Sequence, residues 1–250
     1  MVAAGAWRIT PTSIALLPEL VVTPANAFDI AEAANAQAKA ILHDEEGWTK
    51  MTVKPGVEIE TKPVGGAFEG AGIAMTRGFN DLALNADALF AHLISPEGYR
   101  LIDPGSDPEE FAKHLERYDG WRPHARGSRL EVANAFVRLP RTKTKEFVVL
   151  NSHDPSIRLF TSTSMMHPSR PGGSRYQREM PLDGPETQRV LNTFAVECAP
   201  LPGGRCRVRF LNWIYMALGD AAAENRLNAR WYPPLWGRLE AAAAEPVSKL

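Results

Sequence analysis

The sequence predicts an α+β fold, and three observations carry the prediction. The chain opens with helical periodicity, its second half is rich in strands joined by connections too short for crossover helices, and it closes on a striped helical segment. Among 250 residues, 28 Lys plus Arg stand against 29 Asp plus Glu, and 44% are hydrophobic. That much apolar material fills one large core or two small ones and excludes disorder or a fibrous repeat as the dominant character. A net charge of -1 removes the broad positive field that nucleic acid attracts, so no nucleic-acid partner is expected.

The first helix is expected after Thr23-Pro24, where Phe28, Ala31, Ala34, Ala38, Ile41 and Leu42 recur three or four apart to a stop near Gly47. From Trp48 the period becomes two. Met51 and Val53, then Val57, Ile59 and Thr61, alternate with polar partners around a Lys54-Pro55-Gly56 turn, and a third strand is expected over residues 71–76. Helical spacing returns over residues 80–94 with Leu82, Leu89, Phe90 and Leu93, and Asp107-Pro108-Glu109-Glu110 predicts a further helix to Tyr118. Six strands follow, over residues 129–139, 145–151, 157–165, 174–180, 190–198 and 205–218. Their short connections require antiparallel pairing. After Gly219 the chain is expected to be helical to Ala244.

At this point the sequence resembles the START family of lipid-transfer domains, over residues 48–239. Trp48 stands like the family's opening tryptophan, and the helix at Asp87-Ala88-Leu89-Phe90-Ala91-His92-Leu93-Ile94 like the one before its second short helix. Lys145-Glu146-Phe147-Val148 is similar to the family's Arg-Asp-Phe-Val strand, and Ser164-Met165-Met166-His167-Pro168 to its Ser-x-x-His-Pro turn. Arg178 sits where the family places an arginine one strand later. The resemblance implies a helix-grip fold, a curved antiparallel sheet wrapped around a long C-terminal helix, and an internal cavity for a lipid. Outside the resemblance, residues 1–23 carry Pro11, Pro18 and no clear period and are expected as an arm, 24–245 as a single START-like lipid-binding domain and 246–250 as a tail. Where many members pair a buried glutamate with an arginine, this chain offers Glu131 and, near the matching strand position, Asn151. It also departs at Tyr215-Met216-Ala217-Leu218-Gly219, which lacks the family's aspartate, and at Pro233-Pro234 inside the last helix.

The residues themselves sharpen this. On one face of the last strand Val208, Phe210, Ile214 and Met216 surround Asn212, whose amide needs either a structural partner or a ligand's polar group. Ala133 and Ala135 share the face of Glu131; facing inward they leave volume for a ligand, facing outward they are spacers. Leu227, Trp231, Leu235 and Leu239 form a stripe through Pro233-Pro234, which predicts one kinked helix, either a gate over the cavity or a static bend. The expected ligand-binding residues are Glu131, Asn151, Arg178, Asn212 and Trp231. The loop Arg170-Pro171-Gly172-Gly173-Ser174-Arg175 either touches a lipid headgroup or is a solvated hairpin, and the six tryptophans serve either packing or membrane contact.

Cys198 and Cys206 flank a turn at Pro202 that would set them opposite each other, in reach of a reversible disulfide if that register holds and free thiols by default in a reducing compartment. Ser248-Lys249-Leu250 matches the tripeptide read by the peroxisomal import receptor, so the expected location is a peroxisome-type organelle, or the cytoplasm if the signal is unused. Residues 1–10 lack the basic and apolar regions of a cleaved signal, and residues 13–22, broken by Pro18 and Glu19, fall short of a membrane span, so a soluble protein with only transient membrane contact is expected. No nucleophile elbow, zinc helix, phosphate loop or dinucleotide loop occurs, and His114 with Glu116 or His153 with Asp154 read as surface or turn pairs. The expectation is a non-enzymatic lipid binder, for non-vesicular transfer, without cofactor or metal; a helix-grip enzyme of cyclase or hydrolase type and a ligand-sensing adaptor are the alternatives.

Overall fold

The computed structural model describes residues 21–54, 57–64, 70–95, 102, 113–137, 144–165, 187–216 and 218–244. The N-terminal arm to residue 20, the strand expected at 174–180, the loop at 170–175, His167, Arg178 and Ser248-Lys249-Leu250 lie outside them. The elements are α1 (Ala27–His43), β1 (Thr49–Lys54), β2 (Val57–Pro63), β3 (Ala74–Leu82), α2 (Ala86–Leu93), β4 (Lys113–Arg117), β5 (Arg129–Val137) and β6 (Thr144–Asp154). There follow β7 (Leu159–Ser164), β8 (Thr187–Arg189), β9 (Leu191–Leu201), β10 (Arg205–Tyr215), α3 (Ala221–Arg230) and α4 (Tyr232–Ala244). Nine strands run in the antiparallel order β1-β2-β3-β10-β9-β7-β6-β5-β4. The tenth, β8, departs from the expected antiparallel pattern: it pairs in parallel with the start of β6, where β7 no longer reaches.

Four expected boundaries move, each for a local reason. Residues 24–26 form a turn closed by Thr23 O, which accepts from Asn26 N and Ala27 N, so α1 begins at Ala27. Strand β3 runs on to Leu82 because its backbone pairs with β10 from Thr76 to Leu82. Helix α2 therefore starts only after Asn85, whose side chain accepts from Asp87 N and Ala88 N. Residues 113–117, expected as a helix end, form β4 against β5; residues 103–112 lie outside the description.

Helix α1 covers the outer face of the sheet. Its alanines at 27, 31, 34 and 38 are buried beside Ile30, Ile41 and Leu42, small side chains that let the helix lie close on the strands. Asn35 ties it down, donating to Ser152 Oγ at 3.2 Å and accepting from Thr161 Oγ1 at 2.8 Å. Arg77 closes its C-terminus: Nη1 donates to Ile41 O and Asp44 O, Nε to Glu60 Oε2, and the guanidinium lies 4.0 Å from the Trp48 ring centre.

Helices α2, α3 and α4 lie on the opposite, inner face, where Leu89, Phe90, Tyr232, Leu235, Trp236 and Leu239 join Ile59, Val208 and Phe210 in one core. The expected stripe is real, since Leu235 and Leu239 are fully buried. It runs through two helical segments that meet at Trp231, a residue that keeps right-handed helical torsions. Pro233 and Pro234 thus fall in the first turn of α4, where backbone donors have no intrahelical acceptor and proline is tolerated. The five described tryptophans all pack against core clusters. No described helix is long and apolar enough to cross a membrane.

Candidate functional site

Cross-strand register places three of the expected ligand residues on one inner rung. Arg117 of β4 faces Glu131 of β5, Glu131 faces Asn151 of β6, Asn151 faces Ser162 of β7, Ser162 faces Phe194 of β9, and Phe194 faces Asn212 of β10. Directly opposed residues share a face, so this row crosses the sheet under the helices. The adjacent rung carries Arg129, His153, Phe160, Val196, Phe210 and Gly78.

Glu131 is 3% exposed and lies among two guanidiniums and an imidazole. Its Oε2 lies 3.4 Å from Arg117 Nη2, and its Oε1 lies 3.3 Å from Arg129 Nε and 3.8 Å from His153 Nε2. Arg129 Nη2 is 3.1 Å from His153 Nε2, and the His153 ring packs on Phe160 at 4.7 Å between centres. The glutamate therefore has arginine partners after all. They come from β4 and from its own strand, whereas β6 supplies an amide at the facing position. His153 and Asp154, expected at the surface or in a turn, are both buried. His153 points inward into this cluster, and Asp154 accepts from Arg122 at 2.6 Å. Alternation along β6, with Phe147, Val149, Asn151 and His153 on one face, was the signal that could have found the histidine.

Asn151 is half-buried, and among the described residues its amide has no side-chain partner. Its neighbour Ser162 is occupied, accepting from Asn192 Nδ2 at 3.2 Å. Asn212 is also accounted for: its Nδ2 lies 3.3 Å from Asn228 Oδ1. Asn228 in turn accepts from Ile214 N and donates to Ile214 O and Glu224 O. Thus α3 supplies β10 with hydrogen bonds just past Asn212, the last β10 residue to pair with β3, and Asn212 is a structural residue of that junction. Ala133 faces inward with Val149 and Met216.

Beyond the polar rung the face is aromatic. Phe160, Phe194, Phe210, Trp231, Tyr232 and Trp236 follow one another with ring centres 5.2 to 6.0 Å apart. Trp231 presents its ring to Phe194 and Phe210 while its Nε1 donates to Ile102 O, so it offers a wall and no free donor. Gly78 makes the seat for α4: a Cβ there would stand 2.7 Å from Tyr232 Cε1 and 2.9 Å from Trp236 Cζ2. Tyr232 Oη donates to Thr76 O at 2.9 Å, and burial pushes this phenol far above its ordinary range.

Cys198 and Cys206 are buried on the same face but offset. Val208 is the residue opposite Cys198, and Pro200 is opposite Cys206. Diagonal neighbours of this kind have Cα atoms about 7–8 Å apart, beyond comfortable disulfide reach. They stand as free thiols, and the hydrogen bond that Cys198 donates to Cys206, together with burial, pushes Cys198 well above the usual thiol range.

Several solved structures are similar to this chain, among them the three that follow. Human STARD10 superposes with a TM-score of 0.57 at 15% identity, covering 84% of this chain and 78% of that one. Human StAR-related lipid transfer protein 5 gives 0.57 at 15%, covering 88% and 98%, and the human StarD13 lipid transfer and protein localization domain 0.52 at 13%, covering 84% and 95%. No family sequence profile and no curated protein sequence matches the chain. At these identities the likeness speaks for architecture, and the architecture is the START-like helix-grip fold.

Proposed function

We propose that this protein binds a lipid or similar hydrophobic molecule between the inner sheet face and α4, and carries it between membranes without a vesicle. One observation carries the reading. The inner face joins an aromatic wall to a buried charged rung in which, among the described residues, the Asn151 amide has no side-chain partner, within a fold shared with lipid-transfer domains. The wall replaces the hydrocarbon surroundings of the bilayer, at about 25 cal/mol per Å² of apolar area kept from water. The rung fixes the polar end of the ligand, because a buried polar group without a partner costs about 1–3 kcal/mol. Glu131 and Asn151 are the residues that do so, with Trp231 as part of the wall.

The test is incubation of the full chain with a lipid extract, followed by native mass spectrometry and transfer between donor and acceptor vesicles. A defined adduct that moves intact between vesicles supports the proposal, and the absence of any bound hydrophobe overturns it. Recovery of a chemically altered ligand would favour a helix-grip enzyme, for which Glu131 and His153, 3.8 Å apart, are the groups in position.

A further inference from the structure

Among the described residues the charged rung is unbalanced toward the positive. Two guanidiniums, those of Arg117 and Arg129, meet one carboxylate, Glu131, and each touches it through a single nitrogen at 3.3 to 3.4 Å, not as a bidentate fork. Arg129 Nε is buried and has no aligned acceptor. A buried N–H on a charged group without an acceptor is rare in folded proteins and marks a place where an acceptor belongs. The Asn151 amide, opposite Glu131 on the neighbouring strand, is also without a side-chain partner among the described residues. Arg117 and Arg129 are 59% and 34% exposed at their side chains while Glu131 is 4% exposed, so the cluster runs from the sheet edge inward. Arg122, in the adjoining loop, is different in kind, being closed by Glu32 and Asp154 at 2.6 Å each.

Building on the reading of the inner face as a ligand site, we infer that the preferred ligand carries an anionic head, a carboxylate or a phosphate, held by Arg117 and Arg129 with the Asn151 amide. Glu131 is the positioning residue. It holds both guanidiniums on the inner rung while neutralising only one, so a net positive charge remains for the ligand. Arginine suits the task because its donors are fixed in a plane that matches both oxyanions, and withdrawal from water strengthens the contact.

The test is competition. The full chain is incubated with phosphatidylcholine vesicles carrying equal amounts of phosphatidic acid, oleic acid, diacylglycerol and oleyl alcohol, and the bound species are read by native mass spectrometry. The acids should exceed their uncharged counterparts by about tenfold, the ratio expected of one charge-assisted contact. Phosphatidate over oleate identifies the phosphate as the preferred group, and the reverse identifies the carboxylate. Arg117→Gln and Arg129→Gln should each abolish the preference for the acids, whereas Arg126→Gln, exposed in the adjoining loop, should retain both the preference and the uncharged lipid occupancy. Arg117, more than half exposed, is the variant least able to disturb folding. Uncharged lipids bound as well as the acids would overturn the inference while leaving lipid binding intact; no lipid of any class bound would overturn both.

Discussion

Gly78 sits where the inner face of β3 meets the rings of α4, and its missing side chain decides how close that helix can lie. The ring atoms that a Cβ would meet at 2.7 to 2.9 Å belong to Tyr232 and Trp236, both packed in the core, so neither can swing away at small cost. Gly78→Ala is expected to lower unfolding stability by about 1–3 kcal/mol, the usual result of overpacking, read from the denaturant midpoint. A change below about 0.5 kcal/mol would mean that α4 does not rest on this backbone. Tyr232→Phe removes only the bond to Thr76 O and should cost about 0.5–1.5 kcal/mol. Nothing in the sequence distinguishes Gly78 from a turn glycine, because its role depends on which helix crosses which strand. Glu131 was legible as a candidate because the family resemblance places a buried glutamate there, and Ala133 and Ala135 share its face. Its partners Arg117 and His153 were not, since one lay in a segment with helical spacing and the other beside a turn.

At the scale of elements, periodicity gave the outer helix, the strand-rich half and the final stripe, while junctions decided by hydrogen bonds between distant segments stayed hidden. The clearest case is α3. Its Asn225 accepts from Ala74 N and donates to Gly72 O, and its Asn228 satisfies Ile214 N and O, so helix side chains replace the ladder where β3 and β10 part. Asparagines in a helix carry no periodic signal. Asn228→Ala would leave buried backbone groups on β10 unpaired, and the expected loss is about 1–3 kcal/mol, with faster amide exchange at Ile214 and slow exchange preserved farther along β10. Uniform acceleration along the strand would instead show that α3 supports all of β10. The prolines give a second check. Because they occupy the first turn of α4, Pro234→Ala should alter stability by less than about 1 kcal/mol, whereas a gain near 3 kcal/mol would place them in a true helix interior.

For the molecule as a whole, the pH dependence of stability should have two limbs of opposite sign. Asp81 lies below its ordinary value of 3.8 because Arg207 donates to both its oxygens, at 2.6 and 2.8 Å, across β3 and β10. Asp44 lies below 3.8 because Lys62 donates to it. A carboxylate with a lowered folded value contributes stability above the unfolded value and loses it as pH falls through the folded one, so both give an acid limb below 3.8. Glu224 runs the other way. Burial raises it above 4.5 against the bonds it accepts from Leu218 N and Met216 N, so its contribution is complete below 4.5 and is lost as pH rises through the raised value. Unfolding free energy measured from pH 7 downward should therefore rise toward the mildly acidic range and then fall. Asp81→Asn should start lower and show a shallower acid limb, the two curves converging once Asp81 is protonated. Its effect should be small, since Asp81 and Arg207 are 30% and 43% exposed, and should shrink further in high salt. Glu224→Gln should flatten the upper limb and leave the acid limb in place. Here slope is the readout, because an amide facing two backbone donors also lowers stability at every pH. Parallel curves for Asp81→Asn and the unmodified chain at all pH values would show that the Asp81–Arg207 pair contributes nothing to the joint between β3 and β10.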